Sequence, residues 1–166
     1  MNQTLSDQEL RKIAEKKVQF RYSVKIHFII FILVNSLLLL INLLTSQFFW
    51  VVFPFFGWLI GVVIHCLSYI LYARGVYPRG KRALLYTITA YSFSMLFLFV
   101  TNYITLGVIN WALYPTFFAG IGVLIYIFIY LLFFSAKLSN DGEKKSKIER
   151  AVDKEMEKLA KKRNKL

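Results

Sequence analysis

Two long stretches without a charged residue constrain what this chain can fold into more than any other feature. No Asp, Glu, Lys or Arg occurs from Ile26 to Ala73, and none occurs from Ala83 to Ala136. Because about 20 apolar residues span the hydrocarbon core of a bilayer, each stretch is long enough to cross it twice. Turn-prone residues interrupt each stretch near its middle. The sequence therefore predicts an all-α membrane protein with four transmembrane helices, arranged as two helical hairpins.

Basic residues flank these predicted hairpins at both ends and between them. Lys and Arg favour the cytoplasmic side of membrane proteins, so we expect a plasma-membrane protein with both termini in the cytoplasm. The first apolar stretch has full length and follows a charged segment, so it should act as an uncleaved anchor. The predicted order is a cytosolic amphipathic helix (1–22), a first hairpin (23–73), a cytosolic linker (74–82), a second hairpin (83–136) and a basic helical tail (137–166).

The two hairpins share a short pattern of bulky and turn-forming residues. Trp50, Pro54 and Gly61 are repeated, at identical spacings, by Trp111, Pro115 and Gly122. Both hairpins are expected to begin and end on the same side of the membrane, so the repeats are parallel rather than inverted. In this alignment His65 corresponds to Tyr126, which indicates that the first hairpin keeps polar positions that the second lacks.

A set of aromatic, polar and small residues in the first hairpin follows the pattern of a known family. The residues that carry the pattern are Val18, Phe20, Arg21, His27, Asn35, Asn42, Trp50, Pro54, Gly57, Trp58, Gly61 and His65. Together with the basic and charged flanking segments, they resemble the prokaryotic two-transmembrane (2TM) domain, present here as a tandem pair with a degenerate second copy. That family occurs as small membrane proteins and as membrane modules joined to sensor kinases, so the resemblance implies a membrane module and no reaction.

Polar and small residues form a stripe on each of the first two predicted helices, at 100° of rotation per residue. The two stripes consist of His27, Asn35 and Asn42 on the first helix and Gly57, Gly61, His65, Ser68 and Tyr72 on the second. Lipid is a poor environment for amides, and glycines allow close approach. We therefore expect the two stripes to face each other as a helix-packing surface.

The register of the first hairpin decides what its two histidines can contact. If Thr45 pairs with Pro54 at the turn, Asn35 lies beside His65 and can form a structural hydrogen bond with it. In that register His27 and His65 differ by about seven residues, roughly 10 Å along the helix axis. Two intramembrane histidines could instead bind haem, which makes a small haem-binding electron carrier using His65 and/or His27 an alternative. The offset argues against one haem bridging them within a chain, whereas a homodimer pairing like histidines avoids that objection.

The sequence gives less support to ion transport, enzymatic catalysis or metal binding. The uncharged stretches contain no carboxylate that could relay protons or bind a coupling cation, so a transporter or channel is an alternative that rests on His65 alone. No glycine-rich phosphate loop, HExxH zinc motif or GxSxG nucleophile motif occurs. Cys66 is the single cysteine and is expected to pack as a small hydrophobic residue. We therefore expect no enzymatic activity and no metal site.

Both ends of the chain predict amphipathic helices. Ser6 and Glu9 have the spacing of a capping box, which predicts a helix that begins at Asp7, runs toward the first crossing and can lie in the headgroup region. In the tail, Ser146 and Glu149 have the same spacing. An apolar stripe follows at intervals of four, four and three residues, formed by Ile148, Val152, Met156 and Leu159.

The tail stripe could pack on the amino-terminal helix, pair with a cytosolic partner or a second copy of the chain, rest on anionic lipid, or belong to a plain solvated helix. The net charge of +12 lies beside the membrane, where the preference of basic residues for the cytoplasmic side accounts for it, so no nucleic-acid partner is expected. The combined prediction is a non-catalytic membrane module for anchoring, assembly or signalling through its cytosolic helices.

Overall fold

The computed structural model is helical and describes residues 7–75, 79–135, 137–138 and 144–163. Its elements in these ranges are α1 (Asp7–Thr45), α2 (Val52–Ala73), α3 (Arg79–Leu106), α4 (Leu113–Phe133), β1 (Lys137–Leu138), β2 (Lys144–Lys145) and α5 (Lys147–Arg163). The two strands pair antiparallel over two residues each, which is too short to change the all-α class. The chain divides into two compact units, Met1–Gly120 and Ile121–Leu166.

The first four helices are each long and apolar enough to cross a membrane. Within their most apolar windows no more than 17% of residues are buried by the protein itself. Helices satisfy their own backbone hydrogen bonds, so lipid can cover the apolar side chains that the protein leaves exposed. This arrangement confirms the predicted all-α membrane protein with four transmembrane helices.

The helix α1 joins the charged amino-terminal segment and the first crossing in one element of 39 residues. At 1.5 Å per residue it is about 58 Å long, roughly twice the thickness of the hydrocarbon core. Asp7 and Glu9 lie in its first turn, where the helix dipole favours acidic side chains. The predicted start at Asp7 is also the first described residue and the capping residue Ser6 lies outside the described residues, so the start of this helix stays a prediction. The helix passes the expected boundary at residue 22 without a break.

The turn between α1 and α2 is organised by the side chain of Asn42, which is only 1% exposed. Its Nδ2 donates a hydrogen bond to the carbonyl oxygen of Phe48 at 2.9 Å, and its Oδ1 accepts one from the backbone N–H of Val51 at 2.8 Å. An unpaired backbone group in apolar surroundings is costly, so these two bonds stabilise the turn.

Asn102 makes the equivalent contacts at the turn between α3 and α4, and it is 0% exposed. Its Nδ2 donates to the carbonyl oxygen of Val108 at 3.0 Å. Its Oδ1 accepts from the backbone N–H groups of Asn110 at 2.8 Å and Ala112 at 3.0 Å. Both hairpins are therefore closed by a buried asparagine that pairs with the backbone of the following turn.

These contacts define the internal repeat more closely than the sequence pattern does. The structure matches Asn42 with Asn102 before the turn and Val51 with Ala112 after it. The second turn is longer than the first by a single residue, so the alignment of the two copies shifts by one position there. Before the turn, His27 therefore corresponds to Thr87, and the second copy has no histidine at that place.

Tyrosine hydroxyl groups connect the remaining helices of the first unit. The helix α2 packs against both α1 and α3. The Tyr86 hydroxyl of α3 donates to Ser68 Oγ of α2 at 3.0 Å. The Tyr91 hydroxyl donates to the backbone oxygen of Thr116, in the first turns of α4, at 2.8 Å. A Cβ atom at Gly120 would lie 2.8 Å from the Tyr91 oxygen, so a larger residue there would have to displace the Tyr91 hydroxyl from this position.

In the second unit, α5 begins at the predicted capping box. The backbone N–H of Ser146 donates to Glu149 Oε2 at 2.6 Å, and the Glu149 N–H donates to Ser146 Oγ at 3.2 Å. The Lys147 ammonium lies 5.3 Å from the centre of the Phe133 ring, a cation–π contact between the start of α5 and the end of α4. The predicted tail helix is thus formed and capped.

Candidate functional site

Four side chains between α1 and α2 form a polar cluster at the end of the first hairpin that lies away from its turn. They are Ser23, His27, Trp58 and His65, here called the histidine cluster. The ring centroids of His27 and His65 lie 5.4 Å apart. Trp58 Nε1 donates to His27 Nε2 at 2.9 Å, and Ser23 Oγ lies 3.2 Å from His65 Nε2. The two histidines predicted as site residues are therefore brought together.

The hydrogen bond from Trp58 assigns the tautomer of His27. An indole N–H can only donate, so His27 Nε2 must accept and cannot carry a proton. A neutral His27 then carries its proton on Nδ1. In the described part of the chain, no hydrogen bond reaches that nitrogen. His27 is thus held in one orientation by Trp58 while one N–H donor stays available.

Aromatic rings enclose the cluster on both sides. The Phe20 ring lies 5.4 Å from His65 and 6.0 Å from Tyr72. The Phe31 ring meets Trp58 edge to face at 5.9 Å. Such edge-to-face and tilted pairs are favourable beyond their simple burial. The rings hold α1 and α2 together at the level of the histidines.

The predicted register of the first hairpin is wrong. Asn35 does not contact His65: its Nδ2 donates to the Phe31 carbonyl oxygen of its own helix at 2.8 Å. The reason lies in the turn, where Asn42 binds Val51 rather than facing Gly57, so α2 runs further along α1 than expected. The histidines consequently lie at the same level, and the expected offset of about seven residues between them does not exist.

The two polar stripes also do not meet as one surface. Gly57 and Gly61 are exposed, and no atom of the described residues comes within 4 Å of a Cβ added at either position. Ser68 faces α3, where it accepts the Tyr86 hydroxyl, while Tyr72 contacts Phe20. Because α2 packs against helices on two sides, its polar residues are divided between them.

The arrangement of the two histidines argues against a haem held between them within one chain. Each Nε2 atom is engaged, by Trp58 in one ring and by Ser23 in the other. A haem bridging His27 and His65 within one chain would have to break both contacts and separate the rings. Across the described ranges no group of three or more His, Cys, Asp or Glu side chains could hold a metal ion.

A groove of about 680 Å³ runs along α1 beside the cluster. Its polar lining residues are Gln19, Ser23, His27 and Trp58, and its other residues are apolar or aromatic. The half-buried His27 is thus accessible from the side of the hairpin. The groove gives the cluster an opening to the exterior of the hairpin.

The second hairpin does not repeat the histidine cluster. Thr87, Ala119 and Tyr126 occupy the positions that correspond to His27, Trp58 and His65. None of these three residues can reproduce a histidine pair with an indole donor. The degenerate second copy therefore shares the turn of the first copy and lacks its polar cluster.

The apolar stripe of the tail is exposed over the residues whose side chains are described. Ile148 is 39%, Val152 54% and Met156 61% exposed. The side chain of Leu159 lies outside the described residues. These side chains are arranged along one face of a capped helix, as the spacing predicted.

Three residues of the functional and structural sites were not predicted. Trp58 belongs to the family pattern, but the sequence analysis assigned it no role. Its position two helical turns before His65, on the same face of α2, could have indicated that it contacts the histidines. Ser23 precedes His27 by four residues, one helical turn, but its neighbourhood of basic residues concealed it. Asn102 was missed because the two copies were aligned at the spacing between Trp50 and Trp111. When the same spacing is applied before the turn, Asn42 is aligned with Tyr103 instead of Asn102.

Comparison with known proteins identifies one family. A family model described as the 2TM domain matches the chain twice, over residues 12–74 and 79–156. No curated protein and no solved structure matches the chain significantly. The two matches correspond to the two hairpins with their flanking segments.

Proposed function

Because this chain belongs to the 2TM domain family and carries that domain twice, we propose that it is a non-catalytic membrane module for anchoring, assembly or signalling through its cytosolic helices. It is a membrane protein with four apolar helices long enough to cross the bilayer. The proposed partners are anionic lipid at the cytosolic face and a second copy of the chain or another cytosolic protein.

The exposed stripe on α5 is the observation that carries this proposal. Ile148, Val152 and Met156 place apolar side chains along one face of a helix that is otherwise rich in charge. The capping box between Ser146 and Glu149 supports the helix in the absence of a partner. A preformed helix loses less conformational entropy on association than an unfolded segment, which favours binding.

The continuity of α1 supports a role in transmission. The charged segment and the first crossing form one helix, and the histidine cluster attaches that helix to α2. A displacement of the charged end would therefore reach the cluster without an intervening flexible joint. Such an element suits a module that couples a cytosolic event to the membrane hairpin.

The proposed orientation has both termini in the cytoplasm of the plasma membrane. An even number of crossings places the two termini on the same side, and the basic segments favour the cytoplasmic one. Labelling of single cysteines placed in the tail and in the turn at 46–51 of a Cys66→Ser variant, with a membrane-impermeant reagent on intact cells, tests this. The turn should be labelled from outside and the tail should not.

The role of the tail stripe can be tested by placing charge on it. The double variant Val152→Glu/Met156→Glu should lose self-association in detergent and in membranes, measured by native mass spectrometry and chemical cross-linking. Lys154→Glu is the matched control, since it makes the same change of two units in net charge on the opposite face of α5. A wild-type chain that is monomeric, or two variants that associate equally well, would contradict assembly of copies through the stripe.

A further inference from the structure

A second cavity opens beside the histidine cluster, where α1 passes the end of α2. Its volume is about 400 Å³, and it is lined by Lys16, Gln19, Phe20, Ser23 and Tyr72. Four of these five side chains carry a group that can donate a hydrogen bond. Lys16, Gln19 and Ser23 are exposed and Tyr72 is half-buried, so a molecule outside the hairpin can reach the cavity. This cavity is here called the basic pocket.

The positive charge of the basic pocket is not offset by a carboxylate. Glu15 precedes Lys16 in the sequence, but it pairs with Arg11 at 3.0 Å. No other Asp or Glu occurs from Lys16 to Asn140, and no described carboxylate pairs with Lys16. An ammonium group with neutral donors beside it matches the oxygens of a phosphate group. The pocket is therefore suited to an anion of this kind.

The basic pocket adjoins the groove of about 680 Å³, since Gln19 and Ser23 line both. The groove follows α1 from Val18 to Ile30, a stretch that is roughly 18 Å long at 1.5 Å per residue. The uncharged part of α1 begins at Ile26, so the far end of the groove lies in the segment that can cross the hydrocarbon core. A basic compartment thus leads into an apolar one, in the order of a lipid headgroup and its acyl chain.

The second hairpin does not keep the groups that make the pocket basic and polar. With the two turns aligned as above, Lys16 corresponds to Val76 and Tyr72 corresponds to Phe133. The second copy therefore lacks both the ammonium and the hydroxyl group at these positions. Like the histidine cluster, this combination belongs to the first copy alone, so the hairpin fold does not require it.

We propose that the first hairpin binds one anionic phospholipid, with the phosphate group in the basic pocket and one acyl chain in the groove along α1. Lys16 supplies the charge that pairs with the phosphate, while Gln19 and Tyr72 donate hydrogen bonds to its oxygens. The bound chain covers Ile26 and Ile30, and the second chain of the lipid stays in the bilayer. This deepens the proposed partnership with anionic lipid and rests on it, adding a defined place and a count of one lipid per chain.

Native mass spectrometry of the full chain, with lipid titrated into the detergent-purified protein, measures this binding. Two lipids with identical acyl chains are compared, the anionic phosphatidylglycerol and the zwitterionic phosphatidylcholine. We expect one phosphatidylglycerol to bind per chain, about fivefold more tightly than phosphatidylcholine. A basic residue near an anionic lipid surface contributes about 1 kcal/mol, which corresponds to that ratio.

Variants connect the preference to the basic pocket. Lys16→Gln should weaken the binding of phosphatidylglycerol about fivefold. Lys17→Gln is the matched control, because it removes the same charge one residue further along α1 and lines neither cavity. Tyr72→Phe keeps the ring, removes the hydroxyl donor and should also weaken binding. Lys16 and Tyr72 belong to different helices, so a folding defect in one variant does not remove the test.

The position of the acyl chain is tested by fluorescence quenching of Trp58, which lines the groove. The variant Trp50→Phe/Trp111→Phe leaves Trp58 as the single tryptophan. In vesicles made mostly of phosphatidylcholine, phosphatidylglycerol with brominated acyl chains should quench Trp58 more than its share of the lipid predicts. Adding Lys16→Gln should remove the excess quenching.

The outcomes separate a bound lipid from its competitors. Equal affinity for the two lipids in the wild-type chain would overturn the proposal. Equal losses in Lys16→Gln and Lys17→Gln would mean that the summed charge of α1 attracts the lipid, which rejects the pocket but leaves the proposed lipid surface intact. Preferential binding without excess quenching of Trp58 would reject the groove. None of these results depends on self-association through the tail stripe, so a failure here is distinct from a failure of the proposed function.

Discussion

Asn42 and Asn102 close the two hairpins of this chain with the same pair of contacts. In each case the amide nitrogen donates to a carbonyl oxygen six residues later, and the amide oxygen accepts from the backbone at the start of the next helix. Both side chains are almost completely buried. The turns of the two copies are therefore more alike than their helix-packing surfaces.

We expect each of these asparagines to stabilise its hairpin substantially. Asn42→Leu and Asn102→Leu should each reduce the free energy of unfolding by about 1–3 kcal/mol, because the buried backbone N–H groups of Val51 and Ala112 lose the asparagine oxygen that accepts their hydrogen bond. Thermal unfolding of the purified protein in detergent measures this. Asn35→Leu is the control, since it breaks only a bond within α1 and should cost less. Equal losses in all three variants would contradict a special role for the turns.

The contact between Tyr91 and Gly120 should be specific to that glycine. Gly120→Ala places a methyl group 2.8 Å from the Tyr91 hydroxyl oxygen and should disrupt its bond to Thr116, whereas Gly122→Ala meets no described atom within 4 Å. Alanine is the better helix former by about 1 kcal/mol, so Gly122→Ala should be neutral or stabilising and Gly120→Ala destabilising. A double-mutant cycle with Tyr91→Phe, followed by thermal unfolding, should show coupling for Gly120→Ala only.

The tautomer of His27 should depend on Trp58. In the wild-type chain, neutral His27 carries its proton on Nδ1, because Nε2 accepts the indole N–H. Trp58→Phe removes that donor, so the population with a proton on Nε2 should increase. The ¹⁵N chemical shifts of labelled histidine in membranes report the tautomer directly. Trp111→Phe, in the second hairpin, is the control that should leave the His27 signals unchanged.

The packed histidines should not bind haem between them within one chain. Protein expressed with haem available and purified in detergent should show no Soret band with sharp reduced α and β bands. His65→Ala distinguishes the alternatives. A Soret band in the wild-type chain that disappears in this variant would show that a haem does bind, through separated rings or between two copies.

Sequence reasoning predicted the elements well because their cause is local. The uncharged stretches, the charged flanks and the capping box of the tail each depend on neighbouring residues, and the four spans and the start of α5 follow from them. The approximate positions of both turns follow in the same way, since turn-prone residues interrupt each stretch.

The register of the first hairpin was not predictable in this way, because it depends on contacts between distant residues. Whether Asn42 faces α2 or folds over the turn changes the partner of every residue on α1. For this reason Asn35 was assigned to His65, while the contacts of His27 with Trp58 and of His65 with Ser23 went unrecognised. Asn102 was missed for a related reason. The second turn has one extra residue, so an alignment of the two copies at a single spacing does not match Asn42 with Asn102.

Because α1 is one unbroken helix, the number of its residues determines how its amino-terminal end is rotated about the helix axis relative to the membrane hairpin. A straight α-helix turns by 100° for each residue, so one residue inserted into its exposed amino-terminal part would swing everything ahead of the insertion by that angle around the helix axis. Two insertions would point the leading segment almost the opposite way, and seven would return it close to its original direction. The orientation of any partner bound to that end, relative to the membrane hairpin, would therefore depend on the number of residues between the two.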